Sequence, residues 1–274
     1  MITWVNGVLQ DDPAAATISP LDHGLTTGDG VFETLKVVAG QPFAVTKHLE
    51  RLTRSAVGLG LPAPDEHDVR AGIAAVTKAD PELAFGRLRI TYTGGVSPLS
   101  SDRGDAGTTL VIGSQPIEPP APTSAIVTVP WVRNERSAVA GLKTTSYAEN
   151  VRALAYAKER GGSEAIFANT IGDLCEGTGS NIFCVFDGEL VTPTLESGAL
   201  AGVTRGLVIA WFGAVERDVP LARLAEADEV FLTSTTRDVQ GIHKVDDRDL
   251  AAPGEVTAEV ARVFAERSAE DVDP

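Results

Sequence analysis

Two segments hold the residues most able to do chemistry: Gly141-Leu142-Lys143-Thr144-Thr145-Ser146-Tyr147 and Cys175-Glu176-Gly177-Thr178-Gly179-Ser180-Asn181-Ile182-Phe183. Lys143 follows an apolar stretch and meets no further charge before Glu149, so a fold can hold its amine partly out of water. Desolvation lowers a lysine pKa and frees the lone pair for Schiff-base formation. Glu176 lies in a run of small residues, where backbone can come close to a planar ligand. A carboxylate placed there can hold a ring nitrogen protonated.

Four further motifs stand in order around this pair: Gly28-Asp29-Gly30-Val31-Phe32-Glu33-Thr34 and His48-Leu49-Glu50-Arg51-Leu52 before it, Leu200-Ala201-Gly202-Val203-Thr204-Arg205 and Phe231-Leu232-Thr233-Ser234-Thr235-Thr236 after it. Together they resemble the class IV aminotransferases, the fold type IV enzymes that use pyridoxal 5′-phosphate (PLP), over nearly the whole chain. The resemblance implies an α+β, two-domain fold like that of D-amino-acid aminotransferase. It has a small N-terminal α/β domain and a larger C-terminal pseudo-barrel domain, with the cofactor between them. It also implies a homodimer, because the family's pockets are closed by a loop from the neighbouring subunit.

By this resemblance Lys143 forms the Schiff base and then serves as general acid and base. Glu176 matches the carboxylate paired with the pyridinium nitrogen. Arg51 matches the phosphate arginine, whose planar fork suits a phosphate dianion. Arg54 is a competing candidate, and a helix-surface ion pair is the alternative for Arg51. Val203 and Thr204 open a helix whose N–H groups would face an anion, and Thr204 could equally be an ordinary N-cap. Ser234 and Thr235 supply the third phosphate contact, with Thr236 nearer the substrate carboxylate; β-propensity alone would also put hydroxyls there. Tyr147 reaches the cofactor's phenolate oxygen or packs in the core. Phe32 lies on the substrate side, Glu33 receives no chemical role, and Arg89 and Arg103 are candidate carboxylate binders.

The substrate pocket separates the family's members. Where D-amino-acid enzymes carry Thr-Arg-Gly the chain has Thr93-Gly94-Gly95, and Phe32 stands where they place tyrosine. Arg89-Ile90 only partly matches the Arg-Pro step of branched-chain enzymes, and Thr144-Thr145-Ser146-Tyr147 replaces their Gly-Gly-Asn-Tyr. The lysine segment and the Leu-Thr-Ser-Thr-Thr ending look more like 4-amino-4-deoxychorismate lyases. This favours elimination to 4-aminobenzoate and pyruvate, with transamination of branched-chain, D-amino acid or R-amine type as the alternative.

The bulk properties agree with a folded enzyme. The 274 residues exceed the usual size of one core, and 43% hydrophobic with 22% charged residues is ordinary for a globular chain. A net charge of −15 argues against nucleic-acid partners. The start lacks a leader pattern, and no apolar run reaches the about 18 residues that span a bilayer, so a cytoplasmic protein is expected. Cys175 and Cys184 are too few for a disulfide framework and lack zinc-type histidine spacing, so reduced packed thiols and no metal are expected, with a reactive Cys175 as the alternative.

Four prolines in residues 115–124 read as a linker joining an N-terminal domain, 1–114, to a C-terminal PLP-binding domain, 125–274. Asn6-Gly7 and Asp187-Gly188 mark hairpins, and residues 34–45 repeat the pattern. Leu49, Leu52, Ala56 and Leu59 recur at helical spacing, with Thr46 as N-cap, Gly60 as stop and Arg51 turned away from the apolar stripe. Mixed strands and helices without a steady βαβ rhythm favour α+β.

Overall fold

The computed structural model describes residues 1–10, 12, 14 and 16–274. The chain forms two compact units, one of residues 1–119, 142–146 and 272–274, the other of 120–141 and 147–271.

The first unit contains β1 (Ile2–Val5), β2 (Val8–Gln10), α1 (His23–Thr26), β3 (Gly30–Val38), β4 (Gln41–Pro42), α2 (Val45–Gly58), α3 (Glu66–Ala79), β5 (Phe85–Thr93) and β6 (Thr109–Pro116). Its antiparallel sheet has the order β2-β1-β6-β5-β3-β4. Positive φ at Asn6 and Gly7 gives the expected tight hairpin between β1 and β2. Alternation sorts the faces: Leu88, Ile90 and Tyr92 of β5 enter the core, whereas Arg87 and Arg89 are exposed. Leu49, Leu52 and Ala56 of α2 and Val69, Ile73 and Val76 of α3 cover that core face.

Helix α2 starts differently from expectation. Its N-cap is Ala44, in the left-handed region at φ 55°, and no side chain at that position caps it. The capping oxygens come from far along the chain, since Asp273 accepts from the Thr46 N–H at 2.7 Å and from its hydroxyl at 2.6 Å. Thr46 is therefore the capped residue, and the acidic tail satisfies the helix start.

The lysine segment is held against β3 as an extra edge. Phe32 N–H donates to Lys143 O at 2.9 Å and Thr145 N–H to Gly30 O at 2.8 Å. On the α2 side, Lys143 N–H donates to Ser55 Oγ at 3.1 Å.

The second unit contains β7 (Thr123–Arg133), α4 (Ala148–Lys158), β8 (Glu164–Asn169), β9 (Leu174–Gly177), β10 (Asn181–Phe186), β11 (Glu189–Thr192), α5 (Val203–Trp211), β12 (Val215–Glu216), β13 (Glu229–Ser234), β14 (Asp238–Val245), β15 (Arg248–Asp249) and α6 (Glu255–Glu270). Hydrogen bonding follows the path β12-β11-β10-β13-β14-β7-β8-β9, with β15 on β14. Three parallel pairs, β11 with β12, β14 with β7 and β7 with β8, interrupt the mostly antiparallel order. β9 ends the path and β10 lies near its other end, yet only residues 178–180 join them, closed by Gly177 N–H to Ser180 O at 2.8 Å. So short a connection forces the sheet to curl back on itself as an incomplete barrel. The α+β class and the curled C-terminal sheet are as the sequence led one to expect.

Candidate active site

In the first unit, three candidate residues meet on the sheet face opposite the helices. Phe32, on β3, is 4% exposed; the Lys143 amine stands 4.5 Å from its ring centroid and the Arg89 guanidinium 3.8 Å. Two cations beside one aromatic ring form a surface suited to a carboxylate, with the amine placed next to it.

Arg51 lies on the other face, under α2. Contrary to the orientation read from helical periodicity, it is 5% exposed and locked to Glu33: Nε donates to Oε1 at 2.8 Å and Nη2 to Oε2 at 2.7 Å. His48 Nδ1 meets Oε2 at 2.6 Å, and because a carboxylate only accepts, that nitrogen carries the proton. Burial acts to raise the Glu33 pKa, but the charge and hydrogen bonds of Arg51, with those of His48, outweigh it and hold the carboxyl well below the usual range. Burial pushes the His48 imidazole down. A helix-surface pair is thereby ruled out for Arg51, and Arg54 is the exposed residue of the two.

Arg103 is corrected from a carboxylate-binding candidate to a loop clasp. Its Nε and Nη2 take both oxygens of Asp29 at 2.7 and 2.6 Å, and further N–H groups serve the Leu59 and Gly60 carbonyls. The Arg103 hydrogen bond holds the Asp29 carboxyl below its ordinary value, and Asp29 in turn raises His23.

In the second unit the carboxylate of Glu176, on β9, is received from one side by the Leu200 N–H, 2.8 Å from Oε2, and by Asn181 Nδ2 at 3.4 Å. On the other side Arg133 Nε stands 3.7 Å from Oε1. Asn181 also donates to Leu200 O at 2.8 Å. This ties β10 to the segment leading into α5, and a Cβ on Gly202 would fall 1.9 Å from Asn181 Oδ1, so glycine is required there. Tyr147 belongs to this cluster: burial raises its phenol pKa, and the charge of Glu176 raises it further. Its phenol therefore stays protonated at neutral pH.

Gly202, rather than Thr204, is the N-cap of α5, which leaves Val203 and Thr204 as its first two residues. Their N–H groups have no intrahelical acceptor, and the Thr204 side chain beside them is buried. Asn181 pairs in register with Thr233 of β13, so Ser234, Thr235 and Thr236 follow directly on from that row. The Thr233 hydroxyl is buried and has no hydrogen-bond partner among the described residues.

These donors suit PLP. The second unit holds a carboxylate able to face a protonated ring nitrogen, a phenol beside it, the open end of a helix with clustered hydroxyls able to take a phosphate, and a buried hydroxyl without a partner among the described residues. The first unit holds an amine and a locked arginine of its own. Sequence reasoning missed Arg133, Asn150 and Glu164. Asn150 donates to Thr178 O at 2.7 Å, and Glu164, 3% exposed, accepts from the Thr178 N–H at 3.0 Å and the Ser180 hydroxyl at 3.2 Å, fixing the turn behind Glu176. No local pattern marks these residues, because each acts from a different strand or helix. Cys175 and Cys184 are both buried free thiols pushed up to about 12, so Cys175 is not a poised nucleophile. Among the described residues no helix is long and apolar enough to cross a membrane.

Known proteins share this arrangement of chain. The chain is 33% identical to a probable branched-chain-amino-acid aminotransferase of Thermotoga maritima, over 96% of this chain and 94% of that one. It is 28% identical to a bifunctional aminodeoxychorismate lyase / D-amino acid transaminase of Mycobacterium tuberculosis, over 97% and 96%. The crystal structure of a branched-chain aminotransferase from Thermoproteus uzoniensis with norvaline superposes with a TM-score of 0.91 at 28% identity, covering 97% of this chain and 94% of that one. The family model for amino-transferase class IV matches residues 30–245, from the first residue of β3 to the last of β14. With the lysine edge, the curled sheet and the glutamate cluster all inside that span or on its elements, the chain belongs to the class IV aminotransferases.

Proposed function

We propose that this class IV enzyme is a PLP-dependent transaminase of an amino-acid-like substrate whose carboxylate is received by Arg89. The observation that carries the reading is the pairing of Lys143 and Arg89 on the Phe32 ring, at 4.5 and 3.8 Å, which sets a proton-transferring amine beside a carboxylate-binding cation. When bound, PLP supplies an electrophilic carbon for the substrate amine and a ring that takes up the electron pair released at the α-carbon.

The chain's residues do the rest. Lys143 would hold the cofactor through its amine and, once displaced, move the proton to and from the α-carbon. Glu176, steadied by the Leu200 N–H, would hold a proton at the ring nitrogen. Tyr147 would donate to the ring oxygen. Val203 and Thr204, with Ser234 and Thr235, would bind the phosphate through N–H and hydroxyl groups, and Arg51 would add a guanidinium kept at fixed orientation by Glu33. Phe32 and Thr236 would line the substrate side. The cytoplasmic, homodimeric state expected from the family belongs to this reading.

The lyase is the second reading. It is favoured by Thr144-Thr145-Ser146-Tyr147 after the lysine and by the bifunctional mycobacterial relative. One experiment separates them: supply an amino acid with no keto acid and follow the near-visible absorption of the holoenzyme. Transamination bleaches it in a single turnover and yields a keto acid. A dedicated lyase keeps the band and releases pyruvate only from aminodeoxychorismate, which would overturn the proposal. Loss of the band in Lys143→Ala, with activity down at least about 10³-fold, tests the lysine itself.

A further inference from the structure

Arg133 has no part in the steps above, yet the structure aims it at one of their principal groups. It ends β7, and its guanidinium lies 4.4 Å from the ring centroid of Phe167, a fully buried residue of β8. Nη1 donates to Glu149 Oε2 at 2.8 Å and Asn150 Oδ1 at 2.9 Å, both on α4. Anchored in this way, the side chain reaches across β8 and presents Nε to Glu176 on β9, 3.7 Å from Oε1. Nε is buried and makes no hydrogen bond among the described residues, although a buried N–H is seldom left so in a folded chain. The ion pair with Glu176 is thus kept without the hydrogen bond that would lock it, while the other carboxylate oxygen is set by the backbone at Leu200.

We infer that Arg133 is a positioning residue for Glu176: its charge keeps that carboxylate ionised, so that the proton shared with the cofactor's ring nitrogen resides on the nitrogen. This rests on the reading of Glu176 as the ring partner. A proton shared by a carboxylate and a pyridine can sit on either. A cation nearer the carboxylate than the nitrogen stabilises the charged pair, because moving the proton onto the carboxylate would forfeit its attraction to the arginine. The neighbouring groups modulate this field. Glu149 partly neutralises Arg133 from α4, Glu164 adds negative charge from β8, and the Tyr147 phenol and Cys175 thiol stay protonated. Phe167 presents its ring to the guanidinium and keeps water from one face of it.

The test is the nitrogen-15 chemical shift of the holoenzyme, loaded with PLP labelled at the ring nitrogen. Arg133→Gln is expected to move the signal from the pyridinium toward the pyridine range by roughly half the displacement seen in Glu176→Gln. Arg133→Lys, which keeps the charge on a similar stem, is expected to restore the pyridinium value. A merely structural arginine would lower the melting temperature of both variants and leave the shift unmoved, and that result overturns the inference. If Glu176→Gln also leaves it unmoved, the reading of Glu176 fails first; if Glu176→Gln moves it and Arg133→Gln does not, only the inference fails. Should Arg133→Gln not fold, Glu149→Gln serves, since its side chain is half exposed and its loss leaves Arg133 less neutralised. The ring nitrogen should then keep its proton to higher pH than in the parent protein, and no change would refute the inference.

Discussion

Glu33 and Glu176 are both strand glutamates facing an arginine, one in each unit, and their surroundings differ in the respect that matters for chemistry. Glu33 is wholly buried and receives Arg51 twice and His48 once, all within 2.6–2.8 Å. Glu176 is partly exposed, takes a backbone N–H on one oxygen, and has its arginine at 3.7 Å. Short charge-assisted bonds fix a carboxylate as part of the frame. A carboxylate whose cation stands off keeps capacity for a ligand. The same residue pair is therefore held tightly in one unit and loosely in the other.

The sharpest way to break the comparison is Glu33→Ala, which leaves Arg51 charged and buried without its partner. A loss of about 3–5 kcal/mol of stability is expected, read by denaturant unfolding. The pH dependence follows. With its folded pKa depressed, Glu33 contributes stability that is fully present above its unfolded value of about 4.3 and is lost as pH falls below it. The variant should accordingly lose much of the parent's destabilisation by acid in that range. Equal acid sensitivity in both proteins would show that Glu33 is not the frame group described here.

Next in size, Glu176→Gln is expected to lower kcat by about 10²–10³-fold with under about 1 kcal/mol change in stability. An effect on stability as large as that of Glu33 would erase the distinction. Gly202→Ala probes what steadies Glu176, since the new methyl must displace Asn181 from Leu200 O. It should cost about 1–3 kcal/mol and weaken PLP retention, measured by dialysis of the holoenzyme. The smallest effect is expected from Asp273→Ala, which uncaps α2 without touching Glu33. About 1 kcal/mol should be lost, and hydrogen exchange should quicken at the Thr46 amide while the Arg51 pair stays intact.

Much of this was legible in the chain itself. Turn chemistry placed the hairpins at Asn6-Gly7 and Asp187-Gly188, because few residues accept positive φ. Periodicity found α2 and its stop at Gly60, and the motif order carried the lysine, the glutamate and the helix opening at Gly202. The cap of α2 was misplaced because its acceptor, Asp273, is separated by 227 positions in sequence. Arg51 was assigned an outward orientation because a helical wheel counts apolar neighbours and cannot show a buried carboxylate waiting on another strand.

Residue types and local spacing thus determined most elements and the family, and proposed the reacting groups, since propensity, turn geometry and motif are short-range properties. Only the tertiary structure decided which arginine meets which glutamate and at what distance. Those pairings join β3 to α2 and β7 to β9, and the balance of desolvation against Coulomb attraction that sets each carboxylate's character exists only once those elements have packed.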